Sequence, residues 1–314
     1  MRIIFFGSSD FSIPPFEYCL SSGYSVTAVV TTPDQPKGRG LRVQANPLKK
    51  RSEEKKVPTF AFSSLRNESA RDRIAHLEPD LFVVASYGKL IPASWLRLPK
   101  RAALNIHPSL LPKFRGAAPI AWQILEGEKE TGVSIAEVTP ELDAGDLFYQ
   151  IRIPLGPRDT TRSLTDRLSV LSAKGLAEVL SRIEGGGLKR TPQTGESSYA
   201  KKLVKEDGCL SFSDSAETSD RKIRAFNPWP GTFVTFQGKP LRIYEAIPEG
   251  FDLPESKAGT LLSITPEGGM RIQTAWGKLV ILKVQLPGRQ MISGEAFANG
   301  QRLKPGFIFS PLSS

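Results

Sequence analysis

The sequence predicts a doubly wound α/β domain followed by a small β barrel, and two patterns along its 314 residues indicate this. Up to about residue 180, apolar runs alternate with helix-like segments, as expected of a doubly wound parallel sheet whose strands are connected by helices. Beyond about residue 207, five short β-like runs are separated by glycine or proline turns. We therefore expect a first domain at 1–188, a linker at 189–206 and a second domain at 207–314.

The predicted strands of the first domain are short apolar runs bounded by turn residues. They cover residues 2–6, 25–31, 59–62, 81–86, 102–106 and 133–138. Apolar residues recur at helical spacing from 160 to 183, which indicates one long helix ending at glycines 185–187. The turn after the first strand has a single glycine, Gly7, so the three-glycine fingerprint of nicotinamide and flavin sites is missing.

The predicted strands of the second domain cover residues 232–236, 241–246, 259–264, 270–274 and 279–284. Five short strands are typical of an OB-like barrel, a fold that often binds nucleic acid. The polar segment before them, rich in glycine, serine and lysine, is typical of an exposed linker.

The composition, 39% hydrophobic and 24% charged, is that of a soluble globular protein. No apolar run approaches the ~20 residues that span a bilayer, so we expect a cytoplasmic protein with no membrane partner. The two cysteines, Cys19 and Cys209, lie far apart in the sequence and predict neither a disulfide framework nor a zinc site. We expect a monomer without a bound metal.

The net charge of +10 is unevenly distributed. Residues 1–205 carry 30 basic against 21 acidic residues, and residues 206–314 carry 12 against 11. The window 37–56 alone has a net charge of +6, which is typical of a site for a polyanion and also of a solvated helix face. Its first part, 32–42, is broken by proline and glycine and predicts a loop.

Three residue types suited to acyl transfer follow two predicted strands. Asn105 and His107 are two residues apart on an extended run, so their side chains project from the same face. An amide can donate to an oxyanion, an imidazole can move a proton, and a carboxylate such as Asp143 can orient the imidazole. An Asn-x-His pair at a strand end also occurs in ordinary capped turns. The pair alone therefore does not distinguish a turn from a catalytic site, and the residues around it must be considered.

That string, NIHPSLLPKFRGAAP at 105–119, resembles the signature of the formyltetrahydrofolate-dependent formyltransferases. LDAGD at 142–146 resembles their second motif, and the resemblance covers nearly the whole chain. It implies 10-formyltetrahydrofolate as the co-substrate, Asn105, His107 and Asp143 as catalytic residues, and an OB-like second domain. In members of this length, it also implies methionyl initiator tRNA as the acceptor of the formyl group.

The resemblance further implies two sets of binding residues. One borders the folate and comprises Ser86, Tyr87, Gly88, Leu90, Ser109, Leu110, Leu111 and Pro112. The other meets the tRNA and comprises Lys37, Arg39, Arg42, Lys49, Lys50, Lys201 and Lys202, with Arg39 in a Gly-Arg-Gly loop. Tyr87 also suits ordinary packing, and Lys201 and Lys202 also suit a solvated linker.

Two other functions are compatible with parts of the sequence. A formyltransferase acting on a nucleotide sugar or another small amine would need the same three catalytic residues, but it would not need the basic loop or the barrel. A non-enzymatic RNA-binding protein would keep the fold, but it would not need Asn105, His107 and Asp143 together.

Overall fold

The computed structural model describes residues 1–37, 42–44, 46–250 and 252–309. It divides into two compact units. The first unit comprises Met1–Pro119, Glu130–Pro154 and Thr165–Lys201; the second comprises Ile120–Lys129, Leu155–Leu164 and the chain from Lys202 onward. No helix in the described ranges is both long and apolar enough to cross a membrane.

The first unit is an α/β domain. Its strands are β1 (Arg2–Gly7), β2 (Ser25–Thr31), β3 (Gln35–Lys37), β4 (Arg42–Gln44), β5 (Thr59–Ala61), β6 (Leu81–Ala85), β7 (Ala102–His107), β8 (Arg115–Gly116), β9 (Glu130–Glu137), β10 (Leu147–Pro154) and β11 (Tyr199–Ala200). The helices up to residue 184 are α1 (Ile13–Ser21), α2 (Pro47–Glu54), α3 (Glu68–Ala75), α4 (Ala93–Leu96), α5 (Pro119–Leu125) and α6 (Thr161–Glu184).

Seven strands form the main sheet, in the order β10-β9-β7-β6-β1-β2-β5. The strands from β7 to β5 run parallel, and their apolar residues are buried under helices, as the alternation of elements predicted. Strand β9 is antiparallel to both β7 and β10, so the expectation of a parallel sheet was wrong at that position.

The chain reverses direction across the sheet between β1 and β6. From β1 it builds outward through β2 and β5, then returns to the other side of β1 for β6 and β7. The carboxyl ends of strands at such a reversal are where open α/β sheets bind ligands. Gly7 ends β1 here, and a Cβ on it would lie 2.6 Å from Ser12 Oγ and 2.8 Å from the Ala85 carbonyl oxygen. The lone glycine therefore serves a tight turn.

The second unit is built on an antiparallel sheet. Its strands are β12 (Thr232–Phe236), β13 (Lys239–Glu249), β14 (Leu261–Ile264), β15 (Met270–Gln273), β16 (Lys278–Gln285) and β17 (Ile292–Ser293), with helices α7 (Ala216–Ala225) and α8 (Gly294–Gly300). The order is β12-β13-β16-β15-β14, with β17 also on β16. Residues such as Val234, Leu241 and Ile272 are buried in one core. The five predicted strands are present, and β17, which was not predicted, adds a sixth strand to the sheet.

Candidate active site

Asn105 and His107 lie at the carboxyl end of β7, which is flanked by β6 and β9 in the middle of one half of the sheet. Both side chains point to the same face because they are two residues apart on the strand. His107 is 5% exposed, and Asn105 is half-buried. The strand ends at Pro108, which cannot donate a further ladder hydrogen bond.

Asp143 lies in the connection between β9 and β10, and the fold brings its carboxylate to β7. Its Oδ1 accepts a hydrogen bond from Asn105 Nδ2 at 2.8 Å, and its Oδ2 accepts one from the backbone N–H of Gly116, also at 2.8 Å. His107 Nδ1 lies 3.6 Å from the same Oδ2, beyond hydrogen-bond length. The three residues that the sequence singled out thus lie close together, with the side chains of His107 and Asp143 largely buried.

The other ring nitrogen of His107 shows which atoms carry protons. Its Nε2 lies 2.9 Å from the carbonyl oxygen of Phe114, an atom that can only accept, so Nε2 bears a hydrogen. The Nδ1 edge of the ring is the one that faces Asp143 Oδ2.

Two backbone groups in this arrangement were missed by sequence reasoning. They are the N–H of Gly116 and the C=O of Phe114, and Phe114 adopts a φ of +61° that directs its carbonyl at His107. Every residue has these groups, so no side-chain pattern marks them. The signal that was present is Gly116 itself, whose φ of +116° is open to glycine.

The candidate folate residues after β7 form a tightly bonded loop. Ser109 Oγ donates to the Lys113 carbonyl at 2.7 Å, and Ser134 Oγ donates to the Ser109 carbonyl at 2.6 Å. The N–H of Leu111 donates to Ser134 Oγ, and Gln150 donates to the Leu111 carbonyl. Leu110 and Pro112 belong to the same loop, which has a fixed shape beside His107.

The candidate folate residues after β6 fall into two groups. Ser86 and Gly88 have positive φ angles of 52° and 78° and turn the chain at the carboxyl end of the strand. Ser86 Oγ accepts a hydrogen bond from Ser9 Oγ at 2.8 Å, which ties this turn to the end of β1. Leu90 is 70% exposed and offers an apolar surface there.

Tyr87 points away from that surface. Its ring is 2% exposed and packs edge-on against Phe6, with 5.4 Å between the ring centroids. Its hydroxyl has no hydrogen-bond partner among the described residues, and burial raises the pKa of Tyr87. The side chain packs in the core, so only the backbone of Tyr87 is placed to meet a ligand.

The candidate tRNA residues are spread over several elements. Lys49 Nζ lies 2.6 Å from Asp34 Oδ2, and this hydrogen bond raises the pKa of Lys49. Lys50, Lys201 and Lys202 are exposed. Lys37 and Arg42 end and begin the paired strands β3 and β4, and Arg39 lies outside the described residues.

Within the described ranges, no three His, Cys, Asp or Glu side chains come together as metal ligands would. An α/β sheet with an amide, an imidazole and a carboxylate in contact at its carboxyl edge defines a group-transfer enzyme, here joined to an antiparallel domain.

Comparison with known proteins narrows this class to one family. Residues 1–180 match the model of the formyl transferase family, and residues 202–302 match that of the formyl transferase C-terminal domain. The chain therefore belongs to the formyl transferase family.

Curated relatives match along nearly the whole chain. The methionyl-tRNA formyltransferase of Hydrogenovibrio crunogenus is 38% identical over 304 residues, covering 96% of this chain and 97% of the relative. That of Marinobacter nauticus is 38% identical over 311 residues, covering 98% and 99%.

Solved structures share the fold at lower identity. HypX from Aquifex aeolicus, in complex with tetrahydrofolic acid, has a TM-score of 0.65 and 20% identity, covering 95% of this chain and 47% of HypX. The sugar 3N-formyl transferase WlaRD has a TM-score of 0.67 and 17% identity, covering 92% and 99%.

Proposed function

We propose that this chain transfers the formyl group of 10-formyltetrahydrofolate to the free amine of methionine on initiator tRNA, a step in translation initiation. One observation carries the proposal: Asn105, His107 and Asp143 meet at the carboxyl edge of the sheet, with Asn105 hydrogen-bonded to Asp143. Full-length relatives named methionyl-tRNA formyltransferase support the acceptor.

Asn105 is the proposed donor to the developing oxyanion. When the amine attacks the formyl carbon, negative charge grows on the formyl oxygen, and a fixed N–H lowers the energy of that state most. One Nδ2 hydrogen of Asn105 is held by Asp143, which fixes the plane of the amide. The second hydrogen is then oriented for the substrate oxygen.

His107 and Asp143 are the proposed proton carriers. The Phe114 carbonyl fixes the imidazole through Nε2 and leaves the Nδ1 edge beside Asp143 Oδ2. A protonated His107 adds positive charge close to the oxyanion, and Asp143 lies beside its Nδ1 edge. The attacking amine loses a proton, which Asp143 accepts through a water molecule. The bond between the formyl carbon and N10 of the folate then breaks, and N10 takes up a proton to give tetrahydrofolate.

The folate is proposed to bind along the carboxyl ends of β6 and β7. Exposed Leu90 supplies apolar surface for a flat heterocycle, and the turn at Ser86 to Gly88 supplies backbone groups. The loop from Ser109 to Pro112 borders the same place and is held rigid by Ser134 and Gln150.

The tRNA is proposed to bind through phosphate contacts. Exposed Lys50, Lys201 and Lys202 and the excess positive charge of residues 1–205 favour a polyanion. Arg39 keeps its proposed role in contacting the acceptor end, on the family resemblance alone.

Formyl transfer to methionyl-tRNA, compared with transfer to a nucleotide-linked amino sugar, tests this function. Both acceptors receive the same 10-formyltetrahydrofolate, and uncharged tRNA is the control. We expect formylmethionyl-tRNA as the only formylated product, with tetrahydrofolate released. Preferential formylation of the amino sugar would replace the proposal with the small-amine alternative, and folate binding without any turnover would favour the non-enzymatic one.

A further inference from the structure

A short segment before the second unit contacts the catalytic loops of the first. Thr191 exchanges two backbone hydrogen bonds with Leu147, at 2.8 and 2.9 Å, and β11 pairs with β8. The sequence assigned these residues to an exposed linker, because polar residues and glycine dominate there. Two of their side chains reach the residues that hold Asp143 and His107.

Gln193 is the first of these side chains. Its Nε2 donates to the carbonyl oxygens of Asp143, at 2.8 Å, and Gly145, at 2.7 Å. Its Oε1 accepts hydrogen bonds from Arg115, at 2.7 Å from Nη2 and 3.2 Å from Nε. The amide of Gln193 therefore has only one orientation, with its nitrogen toward the two carbonyl oxygens and its oxygen toward the guanidinium group.

The contact bears on Asp143 because that residue is strained. Its φ of +52° is left-handed, which costs a residue with a side chain roughly 1 kcal/mol. Two hydrogen bonds from Gln193 hold the backbone on either side of Ala144 in that conformation. The carboxylate is thereby kept directed at Asn105 and Gly116.

Ser198 is the second side chain. Its Oγ accepts a hydrogen bond from the N–H of Phe114 at 2.9 Å, and Phe114 also has a left-handed φ, of +61°. The carbonyl of the same Phe114 is the partner of His107 Nε2 at 2.9 Å. Ser198 thus fixes the peptide that orients the imidazole.

We infer that Gln193 and Ser198 are positioning residues of the active site: Gln193 orients Asp143, and Ser198 orients His107. The inference rests on the proposed function for its kinetic readout, but not for its spectroscopic one. The two residues thus have a role in catalysis although they lie in a segment with the composition of a linker. Neither residue touches the reacting atoms; both act through the geometry of others.

The kinetic test uses Gln193→Met, which keeps the length of the side chain and removes its hydrogen bonds. Misplacing a catalytic group by about 1 Å costs roughly 100-fold, so we expect kcat to fall by that order while KM for folate and for tRNA stays the same. Exposed Thr194, one residue along, gives the matched control Thr194→Ala with unchanged kcat. A packing role alone would leave kcat of the methionine variant at the wild-type value and overturn the inference.

The spectroscopic test needs no substrate. The chain has two histidines, so a His76→Gln background leaves His107 as the only source of imidazole ring-proton resonances. We expect Gln193→Met and Ser198→Ala to shift these resonances, with the melting temperature recorded alongside, and Thr194→Ala to leave them in place. Unshifted resonances in both variants would overturn the inference even if turnover fell.

The two readouts separate failure of the inference from failure of the proposed function. A wild-type protein that does not formylate methionyl-tRNA refutes the function, and the resonances of His107 still decide whether Gln193 and Ser198 position the site.

Discussion

Asp143 is the residue on which most of the site's geometry depends. Both carboxylate oxygens accept hydrogen bonds, from Asn105 and from the N–H of Gly116, and the side chain is 9% exposed. Both of these groups are donors, so they suit a carboxylate, which only accepts, and not a neutral amide of the same shape.

Asp143→Asn should therefore lose both stability and turnover. Whichever way the new amide is turned, one of its N–H groups faces the Asn105 or Gly116 donor, and a buried unmade hydrogen bond costs about 1–3 kcal/mol. We expect the free energy of unfolding to fall by about that amount, and the rate of formyl transfer to fall with it, as measured by denaturant titration and single-round assays.

The control for this variant lies three residues along the chain. Asp146 belongs to the same motif and is not one of the three proposed catalytic residues. Asp146→Asn should keep the wild-type rate. A wild-type rate in Asp143→Asn, or an equal loss in Asp146→Asn, would contradict the roles assigned here.

The sequence predicted which side chains form the candidate site, but it did not predict which backbone groups contact them. Asn105 and His107 could be paired because residues two apart on a strand share a face, and the fold brings Asp143 to them. Gly116 and Phe114 could not be found, because their contributions are an N–H and a C=O made special by unusual φ angles. Gln193 was hidden by the polar composition around it.

The connection between β9 and β10 is the element that delivers Asp143. Strand β9 turns back on β10 across residues 138–146, and β10 becomes the edge of the sheet. Alternating apolar residues predict a strand but carry no information on its direction, which explains why β9 was expected to run parallel.

Gly145 shows how closely this connection is packed. It is buried, and a Cβ at this position would collide with the Glu137 carbonyl group, lying 2.8 Å from its carbon. Gly145→Ala must therefore displace the connection that carries Asp143. We expect turnover to fall by roughly 100-fold, as for a catalytic group misplaced by about 1 Å, measured in single-round formylation.

Gly187 offers the matched comparison. It follows α6, and a Cβ on it would meet no atom within 4 Å. Gly187→Ala should leave turnover unchanged. If Gly145→Ala were as active as this control, the packing of the connection would be irrelevant to catalysis.

Most other elements followed directly from periodicity. The helix expected at 160–183 is α6, Thr161–Glu184, and the runs expected at 25–31 and 232–236 are β2 and β12 at those bounds. These elements have one face buried in a core, so the spacing of their apolar residues predicts them correctly.

At the scale of the whole molecule, the two compact units do not follow the chain in simple order. Residues 120–129 and 155–164 belong to the second unit although they precede most of it in the sequence. Such long-range association depends on tertiary contacts, and composition along the chain does not record it. The boundaries at 188 and 206 stay predictions.

The net charge is distributed unevenly between the two parts of the chain. Nearly all of the net charge of +10 lies before residue 206, in the part of the chain that contains the proposed catalytic residues. The second domain is close to neutral, so an OB-like fold there would contribute shape more than charge to tRNA binding.

We propose above all that Asn105, His107 and Asp143 catalyse formyl transfer to an amine carried on tRNA. Single-round formylation of methionyl-tRNA at saturating 10-formyltetrahydrofolate by Asn105→Ala, with tRNA affinity measured in parallel, tests it most directly. The exposed Asn299, in the second unit, gives the control Asn299→Ala. Loss of a fixed oxyanion donor costs ~100-fold to 1,000-fold, so we predict a fall of that order with unchanged tRNA affinity, whereas a wild-type rate would contradict the claim.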